Sequence, residues 1–167
     1  MGIFQPTAMR ERVTDITPEL LTAMGVKALL LDVDNTLATY TSHKPSQGAL
    51  EWVRSMEKSG FRMIIISNNF KNRVQAFGSV FGLDTLSFAV KPLPVGYLRA
   101  ARRLGVKHRE CVIIGDQIFT DILGANLCGM KSVLLTPIEP EEGFTFRVRR
   151  SLERGLRKKY HSRKDVL

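Results

Sequence analysis

The stretch LLLDVDNTLATY, residues 29–40, joins an apolar run to two carboxylates that stand two residues apart. Together with the residues before it, the run reads VKALLLD (26–32), which is typical of a strand buried on both faces of a sheet. Asp32 and Asp34 therefore lie at the carboxyl end of a predicted buried strand. Because like charges repel at short range, this pair needs a nearby cation or a chemical role.

Similar apolar runs recur along the chain and alternate with amphipathic stretches. Strands are predicted at residues 62–67, 86–90, 111–116 and 131–136. Helices are predicted at residues 46–58, 71–81, 94–104 and 121–128. Each of these helices is followed by a glycine where the helix should end: Gly60, Gly82, Gly105 and Gly129. Repeated strand, helix, strand order predicts an α/β fold with a central parallel sheet.

Polar side chains follow four of the predicted strands, and in open parallel sheets ligands bind beyond the strands' carboxyl ends. The residues brought to this edge are Asp32, Asp34, Ser67, Asn68, Lys91, Asp116 and Asp121. Carboxylates gathered so closely repel one another unless a cation lies among them, and Mg²⁺ prefers oxygen ligands. A hydroxyl and a lysine would bind the remaining oxygens of a phosphoryl group. The pattern predicts phosphoryl transfer at a Mg²⁺ site.

These residues resemble the four motifs of the haloacid dehalogenase superfamily of phosphatases. The first motif, DxDx[TV], appears as DVDNT at residues 32–36. The second is Ser67 in SNN, the third is Lys91 in KP, and the fourth is GDQIFTD at residues 115–121. The motifs occur in the family's order from about residue 26 to residue 136. The resemblance implies a three-layer, Rossmann-like fold.

The resemblance also implies a role for each site residue. Asp32 would attack phosphorus and form an aspartyl phosphate, while Asp34 would protonate the leaving alcohol and then activate water. The Mg²⁺ ligands would be Asp32, Asp34 through its backbone carbonyl, Asp116 and, as a nearby acidic support, Asp121. The phosphate-binding residues would be Ser67, Asn68 through its backbone, and Lys91.

The spacing of the motifs leaves no room for an inserted cap domain. The gap from Asp34 to Ser67 holds a loop and one helix, and the gap from Ser67 to Lys91 holds one helix and a strand. We therefore expect an open site, suited to a phosphate carried by something large. The predicted organisation is an N-terminal segment, a phosphatase domain and a basic helix or tail: 1–25, 26–140 and 141–167.

The formal charge of +9 is concentrated in residues 144–167, which contain nine Lys or Arg against two acidic residues. A basic amphipathic helix is predicted there, because apolar side chains recur every four residues: Phe144, Val148, Leu152, Leu156 and Tyr160. Such a helix can lie on an anionic membrane, contact nucleic-acid phosphates, or dock on its own domain or a second subunit. We expect peripheral membrane contact through residues 144–164, while nucleic-acid contact and docking on protein both stay open.

Localisation follows from what the chain lacks. No apolar run approaches the roughly 20 residues that span a bilayer, and the N-terminal residues have no continuous apolar segment of a secretory signal. A cytoplasmic protein is expected, with peripheral attachment to the inner face of the membrane as an option. Cys111 and Cys128 stand apart from each other and are expected to be buried packing residues rather than metal ligands.

The short uncapped arrangement, its motifs and the basic C-terminus resemble more narrowly the bacterial YqeG family of subfamily IIIA phosphatases. That family is similar to the mitochondrial phosphatidylglycerophosphate phosphatases, so the resemblance implies Mg²⁺-dependent conversion of phosphatidylglycerophosphate to phosphatidylglycerol at a membrane surface. The alternative is a phosphatase of nucleic-acid ends, nucleotides or sugar phosphates. A phospho-receiver module, which has no use for an acid–base residue at Asp34, and a non-catalytic scaffold are less favoured. A homo-oligomer remains open.

Overall fold

The computed structural model of the chain describes residues 2–39, 41, 44–140 and 144–161, without the side chains of residues 144–146. The strands are β1 (Ala8–Arg10), β2 (Ala28–Leu31), β3 (Arg62–Ile66), β4 (Asp84–Leu86), β5 (Cys111–Gly115) and β6 (Lys131–Leu135). The helices are α1 (Pro18–Ala23), α2 (Ala49–Lys58), α3 (Lys71–Phe81), α4 (Pro94–Arg103), α5 (Leu123–Leu127) and α6 (Phe144–His161).

The strands form one parallel sheet in the order β1-β6-β5-β2-β3-β4. β2 lies between β3 and β5, and all four of its residues are buried. Leu29 and Leu31 join the core on one face with Trp52 of α2, whereas Leu30 joins the core on the other face with Tyr97 of α4. Burial on both faces explains the continuous apolar run, and the predicted three-layer α/β fold is confirmed.

The N-terminal residues contribute elements that the pattern does not predict. β1 pairs with β6, with Ala8 opposite Val133, and so forms an edge of the sheet. The hydroxyl of Thr17 accepts a hydrogen bond from the backbone N–H of Leu20 and caps α1. β1 escapes prediction because three residues with polar neighbours are too short to show a strand period.

The predicted strand at residues 86–90 is wrong. β4 ends at Leu86, and the following residues Phe88 and Val90 have φ angles of 48° and 56°, which no strand contains. The backbone N–H of Ala89 instead donates to the carbonyl of Ser67 at 3.0 Å, so the chain turns across the end of β3. The apolar residues that suggested a strand are divided between the core, which takes Leu86 and Ala89, and the surface.

Three smaller expectations can be compared with the structure. The predicted helix at 121–128 begins earlier, with a π-helical turn at Ile118–Ile122 that leads into α5. Gly82 ends α3 with a φ of 69°, as the helix-stop pattern predicts. Cys111 and Cys128 are buried and free, and burial raises the pKa of each thiol to about 11. Both cysteines are therefore packing residues, as predicted.

Candidate active site

Three carboxylates converge beyond the ends of β2 and β5. Asp32 follows β2, Asp116 follows β5, and Asp121 lies in the π-helical turn after it. All three are buried, and one carboxylate oxygen from each lies within 4.8 Å of the others. The rule that strand ends meet at one edge therefore brings these predicted residues together.

The buried ammonium group of Lys91 ties two of the three carboxylates together. Its Nζ donates to Asp32 Oδ1 at 2.6 Å and to Asp121 Oδ1 at 2.7 Å. Burial opposes its charge, but the carboxylates of Asp121 and Asp32 outweigh that effect and raise the pKa of Lys91 above its ordinary value. Lys91 thus stays charged where an attacking oxygen and a phosphoryl group would meet.

The acidic cluster has the donor set of a hard cation. Burial raises the pKa of Asp32 well above its ordinary value; Lys91 opposes this shift, and the carboxylates of Asp121 and Asp116 add to it. Two cations contact the three buried carboxylates: Lys91 pairs with Asp32 and Asp121, and Arg150 pairs with Asp116, so one negative charge remains without a matching cation in the cluster. Oxygen ligands at this spacing fit Mg²⁺, which would add the missing positive charge.

The segments after β3 and β4 hold Lys91 in place. The side-chain amide of Asn68 accepts from the Lys91 backbone N–H at 2.7 Å and donates to the Lys91 carbonyl at 3.0 Å. The hydroxyl of the buried Ser67 accepts from the backbone N–H of Asn69 at 3.2 Å. Asn68 thus positions Lys91 through its side chain, and its predicted contact with phosphate through the backbone stays a prediction.

The carboxylate of Asp34 points to a different set of partners. Asn69 Nδ2 donates to Asp34 Oδ2 at 2.7 Å, and Arg73 Nη2 donates to Asp34 Oδ1 at 2.5 Å. Among the described residues, the acidic cluster that could hold a metal ion does not include this carboxylate. The two acids of the opening stretch therefore have separate surroundings, and their roles as nucleophile and as acid–base residue stay predictions. Ligation of Mg²⁺ by the Asp34 carbonyl stays a prediction.

Asp121 reaches the cluster because a glycine leaves room for it. Its Oδ2 accepts from the backbone N–H of Gln117 at 3.2 Å and lies 2.2 Å from where a Cβ of residue 115 would stand. Any side chain at Gly115 would therefore collide with this carboxylate. The glycine of the GDQIFTD motif is explained by close packing at the end of β5.

We expect Gly115→Ala to displace Asp121 and to lower kcat/KM for a phosphomonoester by about tenfold or more, with a loss of about 1–3 kcal/mol in the free energy of unfolding. The matched control is Gly155→Ala in α6, where no neighbouring atom lies within 4 Å of the new Cβ. That change should leave activity unaltered and stabilise the protein by about 1 kcal/mol, because alanine favours a helix interior. Steady-state kinetics and thermal melting report both effects, and equal behaviour of the two variants would contradict the packing argument.

Helix α6 packs against the sheet domain, and a buried glutamate lies at the contact. Glu153 is fully buried and accepts from the backbone N–H of Ile118 at 2.8 Å and from Arg150 Nη1 at 2.9 Å. Leu156 packs against the apolar cluster of Ile118, and Tyr160 is buried. Of the three contacts open to the basic helix, the structure thus shows docking on its own domain.

The same helix contacts the candidate metal site directly. Arg150 donates to the carboxylate of Asp116 through Nη2 and to its carbonyl through Nη1 at 3.0 Å. Arg157 donates to the Asp116 carbonyl and, at 2.9 Å, to the carbonyl of Leu135 at the end of β6. Both arginines therefore fix a predicted metal ligand from outside the sheet.

The outward side of α6 keeps part of the predicted apolar stripe. Val148 and Leu152 are exposed, whereas Leu156 is half-buried and Tyr160 is buried. The side chain of Phe144 and residues 162–164 lie outside the described residues. Membrane contact through residues 144–164 stays a prediction. None of the helices in the described ranges combines the length and apolar character needed to cross a bilayer.

Sequence reasoning missed several residues of the site: Arg73, Tyr97, Arg150, Glu153 and Arg157. The Tyr97 hydroxyl donates to the Thr120 carbonyl at 2.7 Å and so braces the turn that carries Asp121. A signal for the α6 contacts exists, because Glu153 is an isolated acid in a basic helix and stands three residues after Arg150. Such an acid indicates an inward-facing ion pair rather than a solvated face.

Comparison with known proteins agrees with this geometry. A sequence model of the haloacid dehalogenase-like hydrolase family matches residues 7–129. The chain is 35% identical over 153 residues to "Probable phosphatase YqeG" of Bacillus subtilis (strain 168), covering 92% of this chain and 89% of that protein. It is 28% identical over 155 residues to "Phosphatidylglycerophosphate phosphatase 1, chloroplastic/mitochondrial" of Arabidopsis thaliana, covering 85% of this chain but 44% of the plant protein.

Among solved structures, an uncharacterized protein from Listeria monocytogenes serotype 4b superposes with a TM-score of 0.59 at 18% identity, covering 71% of this chain and 85% of that chain. At that identity the superposition supports the fold alone. The expected resemblance to the YqeG family is confirmed by the Bacillus relative. Since the family match spans most of the sheet and the acidic motifs converge on one edge, the chain belongs to the haloacid dehalogenase-like hydrolases and is a phosphatase.

Proposed function

We propose that the chain is a Mg²⁺-dependent phosphomonoesterase that works through an aspartyl phosphate and converts phosphatidylglycerophosphate to phosphatidylglycerol. The chemistry rests on one observation: Lys91 bridges Asp32 and Asp121 at 2.6 and 2.7 Å, within a cluster completed by Asp116. The lipid substrate is supported by the plant relative, by the short segments between the motifs, which leave the site without an inserted cap in the described residues, and by a cation beside Asp34.

The first displacement forms a bond between an Asp32 oxygen and phosphorus as the bond from phosphorus to the leaving oxygen breaks. Asp34 donates a proton to that leaving oxygen. In the second displacement Asp34 takes a proton from water, whose oxygen attacks phosphorus and releases inorganic phosphate and the Asp32 carboxylate. Lys91 and the Ser67 hydroxyl bind the phosphoryl oxygens during both steps.

The residues that would hold Mg²⁺ are Asp32, Asp116 and Asp121, with the Asp34 carbonyl as a further ligand. Bound there, the ion offsets the negative charge of the transferring phosphoryl group. The arginine contacts to Asp116 leave this carboxylate fixed by α6 before any ion binds. The protein thus supplies an ordered ligand at the position where Mg²⁺ needs one.

The open site favours a phosphate carried on a large molecule. In the described residues, the segment between β2 and β3 contains α2, and the segment between β3 and β4 contains α3. Neither segment forms a domain that could close over a small metabolite. A lipid headgroup at a membrane surface fits such an entrance.

A cation lies on the side where the leaving group would sit. Arg73 contacts Asp34, the predicted proton donor, and its side chain is 33% exposed. The leaving group of phosphatidylglycerophosphate carries a phosphodiester, and a partly exposed guanidinium beside the proton donor suits this second anion. The leaving group of a simple alkyl phosphate has no such charge.

The substrate is tested by comparing phosphatidylglycerophosphate in vesicles with soluble monoesters: nucleotides, sugar phosphates and a 5′-phosphorylated oligonucleotide. We expect the lipid to have the highest kcat/KM. A nucleotide, sugar phosphate or oligonucleotide that is hydrolysed faster than the lipid would reject the lipid substrate and identify a soluble ester or a nucleic-acid end in its place. Long-lived labelling by a phosphodonor without turnover of any ester would instead indicate a receiver module.

The role of Asp34 has its own test. We expect Asp34→Asn to lower kcat/KM for the lipid by about 10²–10⁴-fold, because the leaving alkoxide loses its proton donor. The loss should be smaller for p-nitrophenyl phosphate, whose leaving group needs no proton. Because kcat/KM reports formation of the aspartyl phosphate and not its hydrolysis, equal losses of kcat/KM on the two esters would show that Asp34 does not act on the leaving oxygen.

A further inference from the structure

Four large apolar side chains stand in solvent on the segments that follow β3 and β4. Phe70 is 75% exposed, and Phe88, Val90 and Leu93 are each 53% exposed. The rings of Phe70 and Phe88 meet with centroids 5.5 Å apart. These four residues are called the rim patch. The backbone N–H of Leu93 donates to the Val90 carbonyl at 2.8 Å, so these two residues lie in one turn just after Phe88. Large exposed apolar side chains grouped in this way indicate an interaction surface rather than incidental exposure.

The rim patch borders the candidate active site through direct chain neighbours. Phe70 follows Asn69, which binds Asp34, and Val90 precedes Lys91, which binds Asp32. The backbone N–H of Phe88 donates to the Asn69 carbonyl at 3.4 Å, so the two segments are joined. Whatever covers the rim patch therefore lies beside the entrance to the site.

A cationic groove adjoins the rim patch. The groove has a volume of about 540 Å³ and begins at Lys71 and Ser87, the residues next to Phe70 and Phe88. Its cationic side chains, all exposed, are Lys71, Arg99, Arg102 and Arg103. Among the described residues that line the groove, Asp84 is the acidic one. Four cationic side chains against one carboxylate give the groove a net positive charge. Apolar side chains next to such a groove match the boundary between acyl chains and anionic headgroups.

We propose that the rim patch and the cationic groove dock on an anionic lipid bilayer and present the active site to its headgroups. The inference rests on the proposed lipid substrate and assigns the membrane to this surface, not to α6. Val90 and Leu93 are aliphatic, and the two phenyl rings meet at 86°, edge to face, which is not a platform for stacked nucleic-acid bases. Insertion into the interface would bury the apolar side chains while the groove binds lipid phosphates.

The test is co-sedimentation of the full chain with vesicles of phosphatidylglycerol and phosphatidylcholine, compared with phosphatidylcholine alone. We expect binding to require the anionic lipid and to weaken with salt. The double variant Phe70→Ser, Phe88→Ser should lower the partition coefficient by about tenfold or more, since two buried phenyl groups are lost. Lys71→Glu with Arg99→Glu should weaken binding most at low salt.

The matched control is Val148→Ser with Leu152→Ser, which removes two exposed apolar side chains from α6. It should alter the partition coefficient by less than about twofold if the rim patch is the anchor. A larger loss in the α6 variant than in the rim variant overturns the proposal, as does binding of single-stranded nucleic acid in place of vesicles. Dimerisation that Phe70→Ser, Phe88→Ser abolishes, without vesicle binding, also overturns it by assigning the patch to a second copy.

Sedimentation requires no turnover, so the two proposals fail separately. Vesicle binding through the rim patch without hydrolysis of phosphatidylglycerophosphate supports the docking surface and rejects the lipid substrate. Hydrolysis of the detergent-dispersed lipid without vesicle binding rejects the docking surface alone. Melting temperatures within about 2 °C of the wild type show that the surface variants remain folded.

Discussion

Asp32→Asn should lower kcat/KM for every phosphomonoester by at least about 10⁴-fold, the largest effect expected from one substitution in this chain. The amide nitrogen cannot attack phosphorus, and the amide oxygen is a poor nucleophile compared with a carboxylate. Asn has nearly the shape of Asp, so the substitution removes the nucleophile with little change in packing. The measurement is steady-state hydrolysis of p-nitrophenyl phosphate with Mg²⁺, together with acid quenching to trap the phosphoenzyme.

The thermal stability of the same variant separates chemistry from folding. Asp32 is buried beside two other carboxylates, and burial raises its pKa even though Lys91 opposes the shift. Removing one of these charges without added metal should leave the melting temperature unchanged or raise it. A stable variant that retains more than about a tenth of the activity would show that the nucleophile is not Asp32.

Glu153→Ala should lower the free energy of unfolding by about 3 kcal/mol or more, which is the usual cost of removing one partner of a buried ion pair. The substitution leaves the buried backbone N–H of Ile118 without its side-chain acceptor and removes one partner of the Arg150 guanidinium, which keeps its contacts to Asp116. For a chain of this size, the melting temperature should fall by about 6 °C or more. Thermal melting followed by circular dichroism measures the shift.

The control for Glu153→Ala is its exposed neighbour in the same helix. Arg154→Ala should change stability by about 0.5 kcal/mol or less, because surface substitutions rarely cost more. Arg150 also holds Asp116, so Glu153→Ala should weaken Mg²⁺ binding measured by calorimetry without substrate. Equal melting temperatures for the two variants would mean that α6 does not dock as described.

The candidate site was largely predictable because its residues are set by local rules. Strand ends of a parallel sheet meet at one edge, so Asp32 and Asp116 could be placed together without any tertiary information. Lys91 was assigned to the same edge from a strand that the structure ends at Leu86, and it reaches the cluster through the turn that follows β4. The order of the motifs then reinforced this placement. Asp34 was also identified, but its partner Arg73 was not, because a first-turn helix residue has no pattern of its own.

What could not be predicted depends on how distant segments pack. The apolar stripe of α6 predicted an amphipathic helix but not which of its residues dock: Leu156 is half-buried and Tyr160 buried, whereas Val148 is exposed and the charged Glu153 is buried. The face of α6 that is buried depends on the surface against which the helix docks. Here a hydrogen-bonded and ion-paired glutamate lies on the buried face, so the spacing of the apolar residues alone does not identify that face. The turn at Phe88 and Val90 could not be predicted for a similar reason. Both residues are apolar but exposed, and a run of apolar residues predicts a buried strand.

The sheet order has a consequence for how the chain acquires its active site during synthesis. β2 emerges early, but its partner β5 is distant in sequence, with Ala28 opposite Cys111, and β1 pairs across an even longer span with β6. Such non-local pairing slows folding relative to a helical bundle of similar size. Until residue 150 has left the ribosome, Asp116 lacks the arginine that holds it. The nascent chain therefore leaves the β5-facing edge of β2 unpaired while translation continues, and Asp32 is synthesised long before the arginine that completes its surroundings.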